Sequence, residues 1–215
     1  MADNLFNVQY NVTKKSKFKV FYDNYKTTIY SVIVILIICF IAFNFYLDSK
    51  GKQRVLLSEN YLQAKLYLDN KNNVEALNIL KSVIFANDPT YSTLSLFTII
   101  NQNLIIDHQE ISNLFNHVLD KNKFSKELKN LLIFKKALFD SSFVDEDTMI
   151  KSLSALINSE NIWKPHAIIL LGDYFMSKGE SLKAIEFYQK IFTLNNLQQD
   201  LYNHARYQLL LISNE

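Results

Sequence analysis

Four histidines, one cysteine and one acidic run are the side chains of this chain that could do chemistry, and their spacing decides which chemistry. A helical metal site needs ligands at i and i+4, usually two histidines with a glutamate beside them. His108, His117, His166 and His204 are scattered, and no two of them meet that pattern. Asp145-Glu146-Asp147 could hold a cation, but three carboxylates opening an apolar-periodic stretch are also what the positive end of a helix favours. Cys39 is the only cysteine and stands inside an apolar run, which excludes a disulfide framework and a thiolate metal site. Neither a glycine-rich phosphate loop nor a Gly-x-Ser-x-Gly elbow occurs. The chain therefore reads as no enzyme, with no catalytic residue, cofactor, metal or small-molecule substrate.

The elements around those residues divide sharply. Ile29 to Leu47, IYSVIVILIICFIAFNFYL, is a 19-residue stretch without a charge. As a helix it spans ~28 Å, about the hydrocarbon thickness of a bilayer. A buried core helix would carry a polar face, whereas here only Ser31, Cys39 and Asn44 interrupt, with Tyr30 and Tyr46 near the ends. Phe18, Tyr22 and Tyr25 extend an aromatic belt. Ala42-Phe43-Asn44-Phe45 offers no signal-peptide cleavage site, and Leu36-Ile37-Ile38 before Cys39 is too bulky for a lipobox. The expected layout is a basic cytoplasmic tail over 1–27, a transmembrane helix over 28–48 and a domain over 49–215. Lys14, Lys15, Lys17, Lys19 and Lys26 precede the apolar run and Lys50, Lys52, Arg54 and Lys65 follow it, a small excess that places the N-terminus inside. Ser31, Cys39 and Ala42 form no repeated small face for dimerisation, and Asn44 is the one side chain able to hydrogen-bond another helix. Residues 48–215 carry 18 basic and 19 acidic groups with no basic stripe, so nucleic acid is not an expected partner.

After the apolar run the periodicity is helical throughout, at three and four residues, with no alternation that would argue for strands. Three glycines and two prolines leave room for long helices and short connections. The pattern predicts helices near 57–70, 73–86, 90–105, 108–121, 125–140, 145–158, 163–178, 181–194 and 199–212. Asp88-Pro89-Thr90 and Pro165 mark helix starts, and Trp163 pins the chain just before the second of these. Asp107 with Glu110 has capping-box spacing.

The helices pair with a period near 34 residues. The clearest unit is Pro165 to Gln198, PHAIILLGDYFMSKGESLKAIEFYQKIFTLNNLQ, which resembles a tetratricopeptide repeat. Leu171 and Gly172 take its Leu-Gly pair, Phe175 its first aromatic, Gly179 the turn, Ala184 the small residue of the second helix and Tyr188 the aromatic after it. Ile191 stands where the repeat has alanine, and Asn196 where it has its final proline. Leu57 to Thr90 fits the same frame, with Ala64, Tyr67, Ala76, Leu80 and Val83 at the matching positions. Residues 91–122 and 125–159 have helix-pair length without the motif, and Tyr202, Ala205 and Leu209 begin a last helix that suits a cap. The expected fold is all-α, a single N-terminal transmembrane helix followed by a tetratricopeptide-repeat-like α-solenoid; an irregular helical bundle is its rival.

The repeat resemblance implies a concave protein-binding groove lined by the first helix of each pair. On it the pattern places Tyr61, Lys65 and Leu68, then His166, Ile169, Asp173 and Met176. Such a mixed lining suits unfolded segments or a partner protein, unless the protein's own helix fills it. Tyr61 and Lys65 stand where the chaperone-tail-binding branch has Lys and Asn, so a terminal-carboxylate clamp is not expected. The whole layout of tail, anchor and degenerate repeats resembles the YfgM-type ancillary subunits of the Sec translocon. That likeness implies a bacterial inner-membrane protein with a periplasmic domain whose partners are SecYEG, periplasmic chaperones and exported polypeptides. Two other roles fit the same residues: a scaffold for envelope assembly or cell division, and a docking subunit of a membrane enzyme.

Overall fold

The computed structural model describes residues 17–195 and 197–214, with side chains described from residue 21 onward apart from 22–24 and 29. Tail residues 1–16, the side chains of Phe18 and Tyr22, and Asn196 lie outside that description. Nine helices, and no strand, make up the described residues: α1 (Lys17–Asp69), α2 (Asn73–Phe85), α3 (Pro89–Asn101), α4 (His108–Lys121), α5 (Lys126–Asp140), α6 (Glu146–Ile157), α7 (Lys164–Ser177), α8 (Ser181–Ile191) and α9 (Gln199–Ser213). The apolar run and the helix expected over 57–70 belong to one helix, α1, which no Pro interrupts. Two compact units divide at 54/55.

In the first unit, one helix is long and apolar enough to cross a membrane. Two of its polar side chains turn back on their own backbone: Ser31 Oγ donates to the Thr27 carbonyl at 3.0 Å, and Asn44 Nδ2 to the Phe40 carbonyl at 2.9 Å. Donors satisfied within the helix are what a lipid environment demands. Beyond the apolar stretch, Lys50 lies 4.8 Å from the Tyr46 ring centroid and Lys52 pairs with Asp48 at 2.7 Å.

In the second unit, α2 to α9 pack in chain order. Each touches its successor, and α2/α4, α5/α7 and α7/α9 also meet; among the described residues no more distant pair of helices is in contact. The core forms two clusters. One joins Ala64 of α1 to Leu80, Ile84, Leu96, Ile99, Phe115 and Leu132. The other joins Ala137 to α6, α7, α8 and Ala205 of α9. Helix α5 contributes to both through Leu132 and Ala137, one helical turn and a half apart.

Turns and caps set where the helices stop. Lys71, Asn103 and Gly179 all take positive φ, and each closes the preceding helix in the same way. The following N–H reaches back to Tyr67, Ile99 and Phe175 respectively, at 2.8, 3.0 and 2.9 Å, which is the Schellman arrangement. Asn103 therefore ends α3 at Asn101 rather than near 105. Helix α8 ends at Ile191 rather than 194, because Thr193 and Leu194 bond to the third residue back and tighten the chain into a turn. Asp88, Asp107, Ser125 and Asp145 cap α3, α4, α5 and α6 with their side chains. The capping box expected at Asp107 is only half made: Asp107 accepts from the Gln109 N–H at 2.9 Å, while the Glu110 carboxylate is drawn outward to Lys81 of α2.

Candidate protein-binding groove

Helix α7 carries four of the groove candidates, at i, i+3, i+7 and i+10, and the structure treats them differently. Ile169 is buried in the core cluster that also holds Ala137 of α5 and Ala205 of α9; it is not open to a partner. Met176 is half-buried against the same cluster. Asp173 is half-exposed, and its Oδ1 accepts from the Tyr188 hydroxyl at 2.7 Å and lies 2.8 Å from Nε2 of His204. Part of the expected lining is thus occupied by α8 and α9 themselves. Burial pushes the Tyr188 hydroxyl far above its ordinary range, and the bond to Asp173 pushes it further.

His166, the remaining member on α7, packs with aromatic rings: Trp163 at 5.3 Å and Phe134 at 5.9 Å between centroids. Its Nδ1 and the Trp163 indole nitrogen are buried without hydrogen-bond partners. A cavity of about 320 Å³ opens beside it, lined also by Asn161, Pro165, Asn195 and Leu201. On α1, Lys65 is exposed and Tyr61 and Leu68 are half-buried. Tyr61 is fixed across to α3 by a hydrogen bond shared with Thr98 at 3.1 Å and by the Tyr91 ring at 6.3 Å. The α1 and α7 sets sit over different core clusters, and no described contact joins them.

The repeat-pattern residues on α7 and α8 form one packed seam. Leu171, Phe175, Ala184 and Tyr188 are fully buried, and Gly172 faces the Tyr188 ring with no space for a side chain. Phe175 stacks on Phe187 at 5.4 Å, and Gly179 supplies the left-handed turn.

The chain also holds a buried polar cluster that spacing did not reveal. Asp140, at the end of α5, lies beneath α4: Ser112 Oγ donates to its Oδ2 at 3.4 Å, Lys136 pairs with the same oxygen, and Nε2 of His108 lies 3.1 Å from its Oδ1 without hydrogen-bond alignment. The His108 ring is held between Phe139 at 4.6 Å and Phe143 at 3.8 Å. A hydrolase triad needs the imidazole between carboxylate and hydroxyl. Here the carboxylate is between Ser112 and His108, so the hydroxyl is not activated and the cluster ties α4 to α5. The i, i+4 pairs His108/Ser112 and Lys136/Asp140 are its only trace in the sequence. Lys183 joins α6 to α8 through Glu146 and Glu180, which hold its ammonium charged well beyond the usual lysine range.

Among the described residues, no three His, Cys, Asp or Glu side chains are grouped to hold a metal ion. No protein-family model, curated protein or solved structure matches the chain.

Proposed function

We propose that the chain is a membrane-anchored protein-interaction module whose second unit is a short tetratricopeptide-like solenoid. The observation that carries this reading is the order of packing. Among the described residues, helices contact only the next one or two along the chain, and the core continues from cluster to cluster through α5. That is the contact pattern of a stacked-repeat protein, which presents surface rather than enclosing a site. Exposed Lys65 with half-buried Tyr61 and Leu68 forms the more open part of the first-helix lining. Asp173 and Ile169 are already engaged by the protein's own helices, so the binding face lies toward α1 and α3.

In its specific form, the proposal is an ancillary subunit of the Sec translocon, anchored in a bacterial inner membrane with the repeats periplasmic, meeting SecYEG, periplasmic chaperones and exported polypeptides. The resemblance of tail, anchor and degenerate repeats to YfgM-type proteins supports it. A photo-crosslinker at Lys65 tests it in cells. A ladder of many exported chains together with SecYEG is the expected product. One or two discrete adducts lacking SecYEG would replace it with an envelope scaffold or an enzyme-docking subunit. Protease protection of intact spheroplasts gives the topology, and a protected C-terminal unit overturns the periplasmic placement.

A further inference from the structure

The most exposed apolar side chains of the second unit follow the turns. Val74 is 69% exposed, Ile106 99%, Phe143 66% and Leu182 81%. Each sits in a turn joining α1 to α2, α3 to α4, α5 to α6 or α7 to α8, or in the first turn of the helix that follows. Short connections reverse the chain, so these four turns fall on one edge of the row of helices. Contacts along that edge join the last three of these turns: the Phe143 ring on His108, the Tyr174 hydroxyl to the Val144 carbonyl at 3.0 Å, and Lys183 to Glu146. Among the large apolar residues described elsewhere in this unit, only Ile162 is as exposed.

A single exposed apolar side chain means little, but one at or just after each of the four turns marks a surface that is covered in use. The charge on that surface says by what. Residues 69–75, 102–110, 141–147 and 177–183 carry eight carboxylates against three lysines, whereas the opposite turns, 86–90, 119–128, 157–166 and 190–200, carry five of each. Helix capping accounts for Asp107 and Asp145, and the helix dipole favours Glu75 and Asp147, but the opposite turns also open helices and carry no such excess. Such an edge repels anionic lipid and nucleic acid and attracts a cationic chain.

We propose that this edge is a docking strip, distinct from the first-helix groove, for a polypeptide segment that interleaves lysine or arginine with aliphatic residues. The aliphatic side chains cover Val74, Ile106, Phe143 and Leu182, and the cations meet the carboxylates between them. The test uses the full chain in phosphatidylcholine nanodiscs and a fluorescent peptide of alternating lysine and leucine, read by anisotropy. The peptide binds, added salt weakens it, and an alternating glutamate–leucine peptide does not bind. The Ile106→Ser/Leu182→Ser double variant loses roughly tenfold in affinity with an unchanged melting temperature. A charge-reversed variant, Glu75→Lys/Asp147→Lys, loses affinity without touching any apolar residue, and Lys65→Glu leaves binding as it was. Equal binding by the serine variant, equal binding of the glutamate peptide, or no binding of the lysine peptide overturns the proposal. Concentration-dependent self-association abolished by the serine variant also overturns it, and assigns the edge to a second copy.

Discussion

A Cβ placed on Gly172 would stand 2.5 Å from Cε1 of Tyr188, closer than carbon atoms approach. Two features keep the ring from yielding: Tyr188 is fully buried, and its hydroxyl is held by Asp173. Alanine at a helical position ordinarily gains about 1 kcal/mol over glycine. Overpacking of this kind costs about 1–3 kcal/mol. Gly172→Ala is therefore expected to destabilise the second unit by about 1 kcal/mol, measured by urea unfolding. A stabilised variant would show that α7 and α8 are not in such close contact.

Alkaline pH probes the same seam. The Tyr188 hydroxyl is raised above its ordinary value of 10.0 by burial and then by Asp173. A group whose folded value is raised contributes stability that is complete below the unfolded value and lost as pH rises beyond it. The unfolding midpoint should hold from pH 7 to about 9.5 and fall above about 10. Tyr188→Phe should lower stability at pH 8 by about 1 kcal/mol through the lost hydrogen bond, and flatten the alkaline decline. Some decline remains, because burial raises Tyr174 and Glu146 with Glu180 raises Lys183 in the same direction. An unaltered slope in the phenylalanine variant would rule out Tyr188 as its source.

The helices and the α7–α8 seam were legible in the sequence because they depend on local signals: period, caps, and a glycine, alanine and tyrosine at fixed spacing. Asp88 and Asp145 cap where their spacing suggests. What escaped was set by pairs distant in the chain. Glu110 leaves its capping position because Lys81 lies 29 residues away in sequence but adjacent in space. Ile169 is buried in a cluster shared with α5 and α9, which no periodicity within α7 records. Asp140 gives no local signal of its role, because Ser112 and His108 on α4 reach it only in the folded chain.

Asp140 should be among the costlier surface-remote positions to change. It is buried, and three polar partners on two helices converge on its carboxylate. Asp140→Ala leaves Lys136 and Ser112 without it, and stranding buried polar groups costs about 2–4 kcal/mol. Lys136→Met/Asp140→Leu, which removes the ion pair together, should recover most of that loss. Thermal melts of the three proteins check both statements. A mild Asp140→Ala variant would mean the cluster is solvated.

Lys71 and Gly179 occupy equivalent left-handed turn positions, with φ of 60° and 76°. A side chain there costs about 1 kcal/mol relative to glycine. Lys71→Gly is expected to stabilise the second unit by about 0.5–1 kcal/mol, and Gly179→Ala to destabilise it by a similar amount. No Cβ clash complicates the second case, since nothing lies within 4 Å of that position. Opposite signs in urea unfolding confirm the shared turn geometry; equal signs contradict it.

Asn44 tests the apolar helix itself. Its amide donates one N–H to the Phe40 carbonyl at 2.9 Å, so part of its hydrogen-bonding capacity is met within the helix. Leucine at this position removes a polar side chain and adds an apolar one that membrane insertion favours by a few tenths of a kcal/mol. Asn44→Leu should therefore remain in the membrane fraction after carbonate extraction, in the same yield as the parent. If Asn44 instead served as a contact to another membrane helix, the variant would still insert but would lose that partner on native gels. A shift of the variant into the soluble fraction would show that the stretch from Ile29 to Leu47 does not act as the anchor.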